Sequence, residues 1–398
     1  MSDDAMTVDS VTGRRRRPDR RAWWTTALLL AVACESPPRP ADGGIDPRVY
    51  RRCTDPELNA AWQRGAQALA RGAAAEALPD LRRVAERCPD LVPAQLAYQD
   101  AALAVGGDAA TAMTSFVLAM PEHQVVPGRA SPVPAYLKAR LADTSYAQGN
   151  TLESILAADP SFAWAHLSRA RVSRKQGQLL AAIDGFGRAI ANDPELHEAL
   201  LERARLLFEV GREEEAARDY GRYVASVPDD DRARREYAQL LLYRLERGDE
   251  ALALLEVLRA HDPQSVALRM DEAAAQWLAG RPLEAVRGYL AILRDHPDTA
   301  RAAYNLGLLY YEVLPKDEAG RRRYWPRARN AFARFLATGG SSTAPGAGAA
   351  TAPTDGHEQF ERTIGVPYRL KVIADLLGAA PEPAGEVPLE SLQLPPGG

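Results

Sequence analysis

The sequence predicts an all-α chain of stacked helical hairpins, and three periodic observations carry that prediction. Prolines stand at 160, 194, 228, 263 and 297, so the spacing is 34 or 35 residues. A fixed period of roughly 20–50 residues is the mark of a stacked repeat. Ten residues after each proline lies a small residue, Ala170, Ala204, Ala238, Ala273 or Gly307, which lets two helix axes approach closely. Seventeen residues after it a glycine recurs at Gly177, Gly211 and Gly280, suited to the turn that ends a helix. In the 35-residue repeat that turn glycine is expected at Gly248.

The second helix of each repeat follows from spacing. Ala182, Ala216, Ala251 and Ala285 are followed four residues later by Phe186, Tyr220, Leu255 and Tyr289. Residues at i and i+4 share one helix face, so small and large side chains alternate along one buried stripe. Proline then stops the helix, because it lacks an N–H and disfavours the α conformation in the residue before it.

Taken in order, residues 35–52 are Pro/Gly-rich and read as a tether. The first repeat begins at Asp55-Pro56, with Trp62, Gly65, Gly72, Ala77, Leu81 and Pro89 in the frame of the central repeats. Between 90 and 158 the frame weakens, and apolar spacing predicts helices over 93–105, 108–119, 133–147 and 151–158, with a loop at 121–134. The last repeat carries an insertion around Pro315–Arg323, after which its second helix is expected to resume at Ala328, Phe332 and Phe335. Residues 339–357 read as a disordered linker. A capping helix is expected within 358–378, with Leu370, Ile373, Ala374 and Leu377 on one face, and 379–398 reads as a mobile tail.

These residues resemble the tetratricopeptide repeat. The segment Ala303-Tyr304-Asn305-Leu306-Gly307-Leu308-Leu309-Tyr310 matches its first helix, and Ala182, Phe186, Ala189 and Pro194 match its second. The resemblance implies a right-handed α-solenoid, with degenerate repeats over 55–158 and regular ones over 159–338. It also implies a concave groove lined by the first helix of each pair. Carried onto this chain, that groove holds Trp164, Arg171, Arg174, Lys175, Arg205, Phe208, Arg232, Arg235, Tyr243, Trp277, Tyr304 and Tyr311. Arginine and aromatic side chains suit an acidic or apolar peptide segment. The alternative is that the arginines are solvated walls and the aromatics are core.

The N-terminus stands apart. Arg14–Arg17 with Arg20 and Arg21 form a basic region, Trp23–Ala33 an apolar run, and Ala31-Val32-Ala33-Cys34 closes it. That order reads as an export signal over 1–33, and the run is too short to span a membrane. Two processing routes fit: lipidation of Cys34, with 34–54 as a lipid-anchored linker, or ordinary signal cleavage at the same bond. Glu35 after the cysteine points, by analogy, to the outer membrane facing the periplasm. Export removes six basic and four acidic residues and changes the net charge from -4 to -6. Cys53 precedes the first helix and Cys88 ends the second, at the same end of an antiparallel pair, so an oxidising compartment is expected to join them.

The usual constellations of chemistry are absent from the sequence. His197-Glu198 and His357-Glu358 each lack the second histidine of a zinc-protease motif, and three cysteines cannot build a paired CxxC site. There is no phosphate-cradling loop with Lys-Ser/Thr and no G-x-S-x-G elbow. The expectation is a non-enzymatic scaffold without cofactor, metal, nucleic acid or small-molecule substrate. It would bind another envelope protein or peptide segment, with a role in assembling an outer-membrane complex. The other reading is a cytoplasmic or membrane-attached regulatory adaptor that keeps its N-terminus.

Overall fold

The computed structural model describes residues 46–51, 53–120, 122–126, 128–338, 365–377 and 387–395. From Pro47 onward the chain forms one unit. The protein is an all-α solenoid of tandem helix hairpins, with seventeen α-helices and a single two-stranded hairpin among the described residues.

The first pair is α1 (Pro56–Ala70) and α2 (Ala74–Arg87), followed by α3 (Val92–Val105) and α4 (Gly107–Ala119). After the β-hairpin come α5 (Val133–Arg140) and α6 (Ser145–Ala158). The regular repeats are α7 (Ala163–Lys175) with α8 (Leu179–Asn192), α9 (His197–Glu209) with α10 (Glu213–Ser226), α11 (Asp231–Tyr243) with α12 (Gly248–His261), and α13 (Val266–Leu278) with α14 (Pro282–Asp295). The chain closes with α15 (Ala300–Leu308), a π turn (Leu309–Val313), α16 (Glu318–Ala337) and α17 (Val366–Leu377). Each helix packs on the next, and α11 also touches α13 as α1 touches α3.

The sequence period appears as local geometry. α8, α10, α12 and α14 each end two residues before the proline of the next repeat. Gly177, Gly211 and Gly280 take positive φ of 75–78° at the turns inside the hairpins, where an L side chain is strained. Ala170, Ala204, Ala238 and Ala273 are buried, and a Cβ on Gly307 would lie 2.5 Å from the Phe332 ring. The second-helix stripe of Ala182, Phe186, Ala216, Tyr220, Ala251, Leu255, Ala285 and Tyr289 is buried throughout.

Several expectations are corrected. In the 35-residue repeat Glu246, not Gly248, takes the left-handed conformation, at φ 54°. Gly248 starts α12, and a Cβ there would meet Ala275 O and Ala279 N at 2.5 Å. Its smallness serves helix contact rather than the turn. The helix expected over 133–147 stops at Arg140, and a new one begins at Ser145 because Thr144 Oγ1 accepts the Ala147 N–H at 3.1 Å. Such an N-cap, together with Asp143 before it, was the missed sequence signal. The last second helix begins at Glu318 rather than Ala328, with Asp317 as its N-cap accepting the Gly320 N–H at 2.6 Å.

The region 121–134 holds an antiparallel hairpin of Gln124–Val126 and Arg129–Ala130, with Gln124 opposite Ala130 and Val126 opposite Arg129. Asp90 anchors it, accepting from Ser131 Oγ at 2.6 Å and lying 3.0 Å from His123 Nε2.

Both flanks of the solenoid are more ordered than the sequence suggested. The tether reading fails for Pro47–Arg51, a 3-10 turn in which Tyr50 is buried and meets the Phe162 ring edge-on at 4.9 Å. The mobile-tail reading fails for 387–395, where Val387 and Leu392 join the C-terminal core. Both segments bury apolar side chains on distant elements, and hydrophobic burial offsets their polar, proline-rich composition. Cys53 and Cys88 are joined as a disulfide, with Cα atoms 5.9 Å apart.

Candidate functional site

The first helices of successive hairpins are linked by a polar ladder. The acidic rung lies eight residues after each proline, at Glu202, Glu236 and Asp271, and the basic rung eleven residues after it, at Arg171 and Arg205. Arg171 on α7 donates through Nε to Glu202 at 2.7 Å and through Nη2 to Glu198 at 2.9 Å, both on α9. Arg205 on α9 forms a two-pronged pair with Glu236 on α11, at 2.7 and 3.0 Å. Tyr220 adds its hydroxyl to Glu236 at 3.2 Å. Arg174 reaches Glu209 at 3.0 Å. These guanidiniums hold repeats together, because paired planar forks satisfy both partners.

The ladder breaks at the third junction. The basic position is now Gln239, so Asp271 on α13 has no arginine rung. Asp271 instead accepts from the Tyr243 hydroxyl on α11. It is buried, and burial pushes its carboxyl above the usual aspartate value of 3.8, while the Tyr243 hydrogen bond, Arg301 and Arg235 pull it down. Arg301 on α15 lies over the Tyr243 ring at 6.0 Å. Neither Arg235 nor Arg301 forms a salt bridge with the described residues. Arg301 thus stands beside the half-exposed ring of Tyr243, and Arg235 on α11 acts with it on Asp271.

The expected groove residues divide accordingly. Trp164 is only 3% exposed and is withdrawn as an anchor, since its ring is core. Arg171, Arg174 and Arg205 are held by carboxylates, and Arg232 reaches Glu236 at 3.2 Å from an exposed position. Lys175 is exposed at the end of α7. Phe208 is covered by the Arg244 guanidinium at 5.8 Å. Trp277 is half-buried against the C-terminal core. Tyr304 leans on Phe335 at 5.2 Å, and Tyr311 stacks on Trp325 at 5.1 Å. Arg235 and Tyr243, both on α11, are linked through Asp271, with Arg301 over the Tyr243 ring. The signal for Asp271 was present in the repeat frame, one acidic residue at the shared position.

A cleft of about 430 Å³ opens elsewhere, between α12, α13 and α14. Its walls are already committed, with Arg259 paired to Glu272 and Arg269 to Asp295. Among the described residues, no group of three or more His, Cys, Asp or Glu side chains is placed to hold a metal ion. The export signal and Cys34 lie outside the described residues, as do residues 339–364.

No protein-family model matches the chain, and no curated protein matches it. Solved structures do. YrrB, described as a TPR protein with an unusual peptide-binding site, aligns at 15% identity and TM-score 0.38 over 48% of this chain and 93% of its own. TTC0263 of Thermus thermophilus, a thermophilic TPR protein, aligns at 18% identity and TM-score 0.32 over 55% of this chain and 99% of its own. A tetratricopeptide repeat protein of Parabacteroides merdae aligns at 14% identity and TM-score 0.29, over 81% of this chain and 98% of its own. The solenoid assignment itself rests on the helix order and packing of this chain.

Proposed function

We propose that this chain is a non-enzymatic protein-interaction scaffold of tetratricopeptide type that holds an extended acidic segment of a partner along α11, α13 and α15. The broken rung carries this reading. Where Arg171 and Arg205 are consumed by neighbouring carboxylates, Arg235 and Arg301 form no salt bridge among the described residues, and Arg301 lies over the half-exposed ring of Tyr243. Guanidinium groups free to pair with carboxylate, together with an aromatic anchor, are the chemistry of a peptide hot spot.

The scaffold acts in the cell envelope, anchored by a lipid on Cys34 and facing the periplasm, where it binds another envelope protein and serves assembly of an outer-membrane complex. The order Arg14–Arg17, Trp23–Ala33, Cys34 supports export. The Cys53–Cys88 bond supports an oxidising compartment. Mass analysis of the mature N-terminus tests the anchor: a diacylglycerol-bearing Cys34 is expected, and an intact Met1 removes it.

The groove is tested by capture from envelope extract with the wild-type chain and with Arg235→Glu/Arg301→Glu, helicity and melting being checked alongside. A partner retained by the first and lost by the second is expected. Equal capture by two equally folded chains moves the working surface off this face.

A further inference from the structure

At the end of the solenoid a stretch of the chain's own C-terminal tail is packed against the last helices. Residues 387–394 run over α14 and α16, with a 3-10 turn at Leu389–Leu392. Leu392 is fully buried and Val387 nearly so, in a cluster that includes Tyr289, Tyr310, Trp325, Phe332 and Phe335. Leu389 and Leu394 pack on its margin. The polar contacts are of one kind. Tyr310 Oη donates to Leu392 O at 2.7 Å, Arg327 Nε to Gln393 O at 2.6 Å, and Arg334 Nη1 to Val387 O at 3.1 Å.

All three donors read main-chain carbonyls, which every residue carries. The pockets that bury Val387 and Leu392 distinguish one segment from another, and the two elements are opposite in charge by composition. The tail from 379 carries Glu382, Glu386 and Glu390 and no basic residue, whereas α16 carries Arg321, Arg322, Arg323, Arg327, Arg329 and Arg334 against Glu318 alone. Side-chain donors to the backbone and pockets for spaced apolar residues are the means by which extended peptides are recognised.

We infer that the α14–α16 face is a docking site for an acidic extended segment with Val and Leu at the spacing of 387 and 392, and that this chain's own tail is its resting, exchangeable occupant. The inference stands apart from the groove reading, since it uses neither α11 nor Arg235 and Arg301. A partner segment of the same chemistry must displace the tail. A covalently attached competitor acts at an effective concentration on the order of 1 mM, so the site is closed to weak ligands and open to tighter ones.

The test uses a fluorescein-labelled peptide of residues 385–396 and two full-length chains, wild type and Leu392→Asp. The buried aspartate expels the tail from its pocket. Anisotropy should show the peptide binding the variant at least about tenfold more tightly than the wild type. A variant that keeps wild-type helicity yet binds no better overturns the inference, because the tail is then a permanent cap. Should Leu392→Asp unfold the last repeat, hydrogen exchange on the wild-type chain decides. The amides of Ser391 and Gln393, which are hydrogen-bonded within the tail, should exchange faster when excess unlabelled peptide is added. Unchanged protection at saturating peptide overturns the inference as well.

Discussion

Arg51 Nη2 stands 2.9 Å from Oδ1 of Asp193, and its Nη1 stands 2.6 Å from Oε2 of Glu195. The pair fastens the turn before the first hairpin to the connection between α8 and α9, bypassing the irregular region between 90 and 158. Asp193 is 1% exposed, and burial raises its carboxyl above the ordinary value even though Arg51 pulls it down. Arg51 therefore offsets part of the cost of burying Asp193, alongside the Glu195 N–H that donates to it at 3.1 Å.

Replacing Arg51 by Met should leave Asp193 buried and unpaired. Breaking a buried pair from one side costs about 3–5 kcal/mol. Urea unfolding should show a loss near the lower end, because Arg51 is partly exposed. The double variant Arg51→Met/Asp193→Asn should recover part of it. A single-variant loss under about 1 kcal/mol would mean that the strap contributes little.

The disulfide closes a separation of 35 residues. The chain-entropy account gives about 3–4 kcal/mol for such a loop. Cys53→Ser/Cys88→Ser should lower the melting temperature accordingly. In the native, unreduced protein neither thiol should react with an alkylating agent, as peptide mass mapping would read. Labelling of both sites before reduction would show them unpaired.

The two residues at the α11–α12 turn should respond in opposite directions. Glu246→Gly removes a left-handed non-glycine residue and should stabilise by about 1 kcal/mol, less the entropy that glycine adds to the unfolded chain. Gly248→Ala places a Cβ against the backbone of α13 and should destabilise by about 1–3 kcal/mol. Thermal melts of both variants distinguish a turn residue from a contact residue.

Asp271 gives a pH dependence with a definite sign. Its folded pKa is raised above 3.8, so the folded state holds its proton more tightly than the unfolded chain. That contribution is fully present below the unfolded pKa and is lost as pH rises through the folded value. Asp271→Asn, which can still accept from Tyr243, should therefore stabilise the protein at pH 7. The gain should shrink toward zero as pH falls to about 4, the ordinary aspartate range. A pH-independent difference would assign the effect to packing.

Much of the site was legible in the repeat frame. Arg235 and Tyr243 fall on the expected face. The partners that decide which arginines are free, Glu202, Glu236 and Asp271, share one position eight residues after the proline. What the frame did not convey was neutralisation: Arg171 and Arg205 look like ligand-binding residues until the next repeat is placed beside them. Trp164 misled for a related reason, since an aromatic on a first helix is core or groove according to a packing angle that its own repeat does not specify.

The sequence by itself determined the repeat, its paired helices from 160 to 297 and the turns at Gly177, Gly211 and Gly280, because these depend on contacts a few residues apart or one period away. Proline, glycine and small residues act locally through sterics, and their phase is written along the chain. Only the tertiary structure decided that Tyr50 and Arg51 strap the solenoid and that Leu392 fills its far end. Those outcomes depend on burial and charge pairing between segments far apart in sequence, for which periodicity carries no signal.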